Sequence, residues 1–265
     1  MVGLIYRAPE FSPGDNVARD AATLDAVGRE LVRMGEQVVA LGEEQLASAN
    51  VPPTFDLCVS MARRQTSLLA LQKWQMAGLR VVNRPNAVQI TVQSRSTTME
   101  MLQAAGIQVA PFWSYEPSAD EMFQCEPELQ ALLPGWVKAM HPRGVTAGDV
   151  MRVETALEAD SRVISLATEG YTDIVVMRHV EGTLLKAYVV DGQVWTRDGG
   201  AAPSAIIETA RTVGRVLGLE IYGVDFMVSA NGAYVIDVND FPSFASCRAE
   251  AARAIAELVL RSLRP

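Results

Sequence analysis

Cysteine and histidine are scarce in this chain of 265 residues, which has three of the first (Cys58, Cys125, Cys247) and two of the second (His141, His179). The cysteines lie far apart with no Cys-x-x-Cys spacing, which argues against a disulfide framework and a thiolate zinc site and fits a reducing cytoplasm. The histidines are too widely separated for a helical metal pair, and neither is assigned a catalytic role. Positive charge is also in deficit: 23 Lys and Arg stand against 31 Asp and Glu, a net charge of -8. That argues against general affinity for nucleic acid or an anionic membrane, while leaving room for a local basic pocket. No apolar run has the length that spans a bilayer, and the start lacks a basic segment leading into an apolar one, so a soluble, cytoplasmic protein is expected. No glycine fingerprint follows the first strand, which leaves a dinucleotide site unsupported.

What is present is an apolar content of 49%, enough for a substantial core in two or three compact units. The first third alternates strand and helix: strands over 2–6, 37–41, 57–60 and 79–83, and helices over 19–34 and 66–77. Such alternation predicts a parallel sheet covered by helices. Ligands of an open parallel sheet sit outside the carboxyl ends of its strands. The loops over 7–16 and 61–65 leave those ends, and Arg63 and Arg64 in the second are candidates for gripping a substrate. Farther on, the pattern predicts strands over 135–140 and 150–153, another that begins at 174, and helices over 96–105, 158–169, 205–217 and 247–263. A hairpin is expected about Asp191-Gly192.

The most informative stretch is 223–244, two apolar strands carrying Asp225 on the first and Asp237 and Asn239 at the end of the second. Two carboxylates and an amide suit a hard cation such as the magnesium that accompanies nucleotide phosphates. A two-residue Asn231-Gly232 turn would put Asp225 and Asp237 on opposite faces. A three-residue loop, 230–232, with Gly232 left-handed, pairs Asp225 with Asp237, and this loop is predicted. Lys138 is a second marker, since a lysine inside the apolar strand Gly-Trp-Val-Lys-Ala-Met must find an anion or reach water.

The Gly-Val-Asp-Phe and Asp-Val-Asn-Asp-Phe-Pro-Ser-Phe pieces resemble the metal-binding end of ATP-grasp enzymes, and the resemblance runs over 82–244. It implies an α/β chain with a Rossmann-like parallel-sheet domain (1–84), a central α+β lid (85–180) and a C-terminal domain with the metal hairpin (181–265). ATP and Mg²⁺, with Mn²⁺ as a substitute, are the implied cofactors. By resemblance Lys138 holds the α- and β-phosphates, and the loop over 141–148, with His141, is a flap over the γ-phosphate. Met177, Arg178, His179 and Val180 form the hinge that reads adenine through its backbone, and Glu181 meets the ribose. Lys186 and Arg197 lie near the transferred phosphate, and Asp225, Asp237 and Asn239 hold the metal. The lysine usual at the approach to the lid is absent, and Arg95 stands nearest to it.

Two chemistries share such machinery. One is a carboxylate–amine or carboxylate–thiol ligase working through an acyl phosphate, similar to glutathione synthase and to the enzymes that add glutamate to proteins. Its substrates would be a small-molecule or peptide carboxylate and an amine. The other is a kinase acting on a polyol or inositol phosphate, and a third reading is a nucleotide-binding module without catalysis. No nucleic-acid or membrane partner is implied, and many relatives pair as homodimers.

Overall fold

The computed structural model describes residues 1–12, 14–46, 54–117, 127–140, 144–197, 200 and 202–264. The first part runs β1 (Val2–Tyr6), α1 (Asn16–Arg33), β2 (Val38–Gly42), α2 (Glu43–Leu46), β3 (Leu57–Ser60), α3 (Gln65–Met76) and β4 (Arg80–Val82). Its four strands make a parallel sheet in the order β2-β1-β3-β4. The continuous apolar run of β1 fits a strand covered on both faces, and its first four residues are buried. Residues Leu24, Val27 and Leu31 form the buried stripe of α1.

The middle part runs α4 (Pro85–Gln93), α5 (Arg95–Ala104), β5 (Phe112–Tyr115), α6 (Pro127–Gln130), β6 (Gly135–Ala139), β7 (Val150–Val153), α7 (Ala156–Thr168) and β8 (Ile174–Arg178). Its strands form an antiparallel sheet, β5-β8-β6-β7. Of these elements α4, β5 and α6 are additional to the sequence expectation. Pro85, at the first turn of α4, starts a helix as readily as it ends one.

The last part holds β9 (Thr183–Val190), β10 (Gln193–Thr196), α8 (Ser204–Leu217), β11 (Ile221–Ser229), β12 (Gly232–Asn239) and α9 (Arg248–Leu263). Its antiparallel sheet has the order β10-β9-β11-β12. The hairpin expected about Asp191-Gly192 is present, with both residues at positive φ, as a tight right-twisted turn requires. Helix α8 ends at Gly218, which adopts the left-handed conformation.

One expectation is corrected here. Ser229 pairs with Gly232, so the loop of the β11–β12 hairpin has two residues, Ala230 and Asn231, and not three. Asp225 nevertheless faces Asp237, because the register shifts between Asp225 and Phe226 and leaves Ile236 as the extra residue of a β-bulge. The spare residue needed to align the carboxylates therefore sits beside them and not in the turn.

One apolar cluster joins the first and last parts. Leu4, Leu24 and Leu31 pack with Tyr188, Ile221, Phe241, Phe244 and Ile255. Helices α4 and α5 pack instead toward the last sheet, with Val88, Met99 and Leu102 in one cluster with Val213 and Phe226. The carboxyl ends of β1 and β3 are thereby brought against the end of β12.

Among the described residues no helix is long and apolar enough to cross a membrane.

Candidate active site

Three neighbouring strands set out a row of charges. Strand pairing puts Asp225 opposite Lys186 of β9 on one side and Asp237 of β12 on the other, and Gly223 opposite Asn239. Lys186 Nζ lies 2.9 Å from Asp225 Oδ1 and donates to Oδ2 at 3.2 Å. Arg95, the first residue of α5, forms an ion pair with Asp237. Lys138 reaches in from β6 and donates to the carbonyl of Ile236 at 2.8 Å. The bulge leaves that residue outside the β11 register, so one local irregularity aligns the carboxylates and offers a carbonyl to the lysine.

Electrostatics follow from this row. Burial lowers the Lys138 ammonium to about 8, against the opposing pull of Asp237. Burial also works against the charge of Lys186, but Asp225 and Asp237 outweigh it and its pKa is raised. For Asp237 burial favours the neutral acid, yet Arg95, Lys138 and Lys186 prevail and hold it below the usual carboxylate range. Asp225 is pushed up by burial, opposed by Lys186, with the second carboxylate adding to the rise.

The predicted metal donors, Asp225, Asp237 and Asn239, thus stand on adjacent strands. Asp225 Oδ1 is buried with no hydrogen bond, its close partner being the Lys186 ammonium of the ion pair at 2.9 Å, and two carboxylates with an amide are a donor set that fits Mg²⁺ or Mn²⁺. Asn239 Oδ1 accepts from Arg63 Nη2 at 2.9 Å and from the Phe241 amide at 3.1 Å. Among the described residues no group of three His, Cys, Asp or Glu stands at metal-binding range.

Lys186, Asp237 and Asn239 border a cavity of about 290 Å³ whose walls also include Arg7, Asp20, Arg63, Arg95 and Asp240. Several were not singled out from sequence. Arg7 is buried at the end of β1 and donates to Asp20 at 2.7 Å and to the Phe241 carbonyl at 2.9 Å. Burial, with the nearby Arg63 charge, lowers its pKa. Asp240 is 1% exposed and paired with Arg63. Glu43, fully buried, accepts the amides of Ala8 at 2.8 Å and Arg63 at 2.7 Å, and that of Arg64. It ties together the two loops that leave β1 and β3. Burial pushes its pKa up despite those three amides. Of the two arginines named from sequence, Arg63 lines the cavity and Arg64 pairs with Glu10.

The remaining expected residues lie around this centre. Met177 is buried in β8. The amides of Arg178 and His179 donate to the carbonyls of Pro111 and Pro134 at 2.8 and 2.9 Å. The Val180 amide makes no backbone bond to a described residue. His179 Nδ1 accepts from the Trp136 indole at 3.1 Å, and its Nε2 lies 3.2 Å from Glu181, whose side chain is exposed. Arg197 is exposed beyond the end of β10, and its amide donates to the Lys186 carbonyl at 3.0 Å. His141 and the start of the expected flap lie outside the described residues. Farther along it, the Val145 amide donates to the Glu10 carbonyl at 2.8 Å. A larger hollow, of about 580 Å³, is bordered by Arg84, Arg211 and Arg215 with Asp191, Glu208 and Glu220. None of the predicted site residues lines it.

No protein-family model matches the sequence, and no curated protein matches it. Solved structures do. D-alanine–D-alanine ligase from Bacillus anthracis aligns over 99% of this chain and 97% of its own, with a TM-score of 0.75 and 14% identity. A RimK domain ATP-grasp protein from Sphaerobacter thermophilus aligns over 97% and 98%, with a TM-score of 0.69 and 17% identity. The ATP-grasp ligase PsnB, solved with a minimal precursor, aligns over 98% and 99%, with a TM-score of 0.66 and 15% identity. At such identities the likeness speaks for architecture, and it covers nearly the whole of each chain: this protein has the ATP-grasp fold.

Proposed function

We propose that the chain is an ATP-dependent ligase that activates a carboxylate as an acyl phosphate and passes the acyl group to an amine. The observation that carries this reading is the row Lys186–Asp225–Asp237, with Lys138 on the bulge carbonyl beside it. It supplies cation ligands and phosphate-binding ammonium groups in one cleft of a chain with this fold. The Bacillus anthracis ligase has been solved with ATP, and PsnB with a precursor peptide and AMPPNP. Both support nucleotide use here, and the second supports a peptide carboxylate as well as a small-molecule one.

In this reading 1–84 is the substrate-side domain, 85–180 the lid and 181–265 the metal-bearing domain. Asp225, Asp237 and Asn239 would hold Mg²⁺ or Mn²⁺, which when bound offsets phosphate charge. Lys138 grips the α- and β-phosphates. The Val180 amide, left without a described backbone partner, suits a ring nitrogen of adenine at the Met177–Val180 hinge, with Glu181 beside the ribose. The carboxylate oxygen attacks the γ-phosphorus as the bond to ADP breaks, and Lys186 and Arg197 offset the charge on the transferred group. The amine then attacks the acyl carbon, loses a proton, and phosphate departs. No protein nucleophile is needed; positioning and charge do the work.

The test is incubation with Mg·ATP, pooled carboxylates and hydroxylamine. Hydroxamate, with ADP and phosphate in equal amounts, is the expected result. A parallel pool of hydroxyl metabolites that instead gives ADP and a phosphorylated product without free phosphate would replace the ligase with a kinase.

A further inference from the structure

The oxygens expected to face a metal are already held by cations of the chain. Arg95 is paired with Asp237, Arg63 donates to Asn239 at 2.9 Å, and Lys186 sits on Asp225. Among the described residues Arg95 donates to Asp237 alone, whereas Arg63 is shared between Asn239 and Asp240. Its side chain is 15% exposed and it lines the cavity, and its Nε, like that of Arg63, is buried without a hydrogen-bond partner. Its mount is firm: Ser94 caps α5 by accepting the Thr97 amide at 3.3 Å, and Asp173 accepts the Ser96 amide at 3.1 Å.

Charge decides what may displace it. Around the two carboxylates stand Lys138, Lys186 and Arg95, an excess of one positive charge. A bare divalent ion would raise that excess to three in a largely buried site. The same ion carrying the four negative charges of a nucleoside triphosphate would turn it slightly negative. A guanidinium is also well matched to two phosphate oxygens at once.

We propose that Arg95 is a resident cation for Asp237 that yields the carboxylate only to a divalent ion arriving with nucleotide, whose phosphate then takes the guanidinium. This rests on the nucleotide-binding reading above. It assigns to Arg95, by a different route, work at the phosphate that the missing lysine would have done.

Mn²⁺ alone, followed by electron paramagnetic resonance of the free ion, and Mg·AMPPNP, followed by calorimetry, test it on the wild type, R95A and R95K. For R95A the two affinities move in opposite directions: Mn²⁺ alone binds about tenfold more tightly and Mg·AMPPNP about tenfold more weakly, the scale of one charged hydrogen bond. R95K, which keeps the charge but loses the fork, returns both part of the way. If R95A weakens both, Arg95 is merely structural; if it alters only one or neither, there is no exchange. Each of these overturns the proposal, and far-UV circular dichroism with a melting curve guards against an unfolded variant. A wild type that binds no Mg·AMPPNP would instead sink the nucleotide reading itself.

Discussion

Replacing Asn83 with alanine should remove the most heavily used buried side-chain amide among the described residues. Asn83 is 1% exposed and stands just past β4. Its Nδ2 donates to the carbonyls of Ile221 at 2.6 Å and Asp240 at 2.5 Å, and its Oδ1 accepts the amides of Glu220 at 2.9 Å and Ile221 at 2.8 Å. All four partners are main-chain groups at the start of β11 and just after β12, so one side chain fixes the first sheet to the strands that carry Asp225 and Asp237. A net hydrogen bond is worth about 1 kcal/mol, and a buried group left unpaired costs more. Four lost bonds amount to about 4 kcal/mol, a large part of the 5–15 kcal/mol that ordinarily separates folded from unfolded chains. Urea unfolding followed by tryptophan fluorescence would read this as a lower midpoint with little change in slope. Asn83→Asp should be at least as damaging although nearly isosteric, because a carboxylate can accept from the two amides but repels the two carbonyls. A matched control is Arg33→Ala at the exposed Glu30–Arg33 pair, where the change should stay within about 0.5 kcal/mol. A loss below about 1 kcal/mol for Asn83→Ala would refute the claim that this amide joins the two parts.

Asp237→Asn keeps the shape but removes one of the two charges on which the cation site depends, and should lower Mg·ATP turnover more than about a hundredfold with the fold intact; ADP release together with circular dichroism decides it. Lys138 gives a pH signature. Its pKa is lowered to about 8, and a phosphate binds only the protonated form. The Kd of Mg·AMPPNP should therefore be flat below pH 7, about twofold higher at pH 8 and about tenfold higher at pH 9, and Lys138→Met should show a weak affinity without that rise. Gly214→Ala would set a Cβ 2.2 Å from Tyr222 Oη, which donates to the Ala210 carbonyl at 2.7 Å. A loss of about 2–3 kcal/mol is expected from the displaced ring and broken bond, and a melting temperature equal to wild type would contradict it.

The first sheet could be read from sequence because its signal is local: apolar strands and amphipathic helices repeat at the spacing that a parallel sheet demands. Lys138, Lys186, Asp225 and Asp237 were legible for a related reason, each being a charge set inside an apolar strand. Arg7, Glu43, Asn83 and Asp240 carry no such mark. They are polar residues in or next to turns, where solvent is the ordinary fate, and their burial comes from partners 13 to 234 positions away. Composition left room for a local basic pocket but could not place it. A chain with a net charge of -8 gathers Arg7, Arg63, Arg95, Lys138 and Lys186 around one centre, and an average over the sequence cannot see that concentration.

The hairpin shows how a right pairing can follow from a wrong turn. With Ala230-Asn231 as the turn, an uninterrupted ladder would place Ile236 opposite Asp225 and send Asp237 to the other face. One inserted residue restores the face, and it could stand in the loop or anywhere along the strand with equal effect on Asp237. Sequence favours the three-residue loop because that loop pairs Asp225 with Asp237, with Gly232 at a positive φ, which it does adopt, at 121°. Only a bulge at Ile236, however, also frees a main-chain carbonyl beside the carboxylates, and Lys138 takes it at 2.8 Å. A loop insertion would leave Ile236 in register and its carbonyl directed into the ladder or to the far side. The bulge therefore couples two requirements, aligned carboxylates and a lysine from the middle sheet resting on the last one. Bulges are over-represented beside active sites because they re-aim side chains without lengthening a turn; here the same residue also docks one sheet on another.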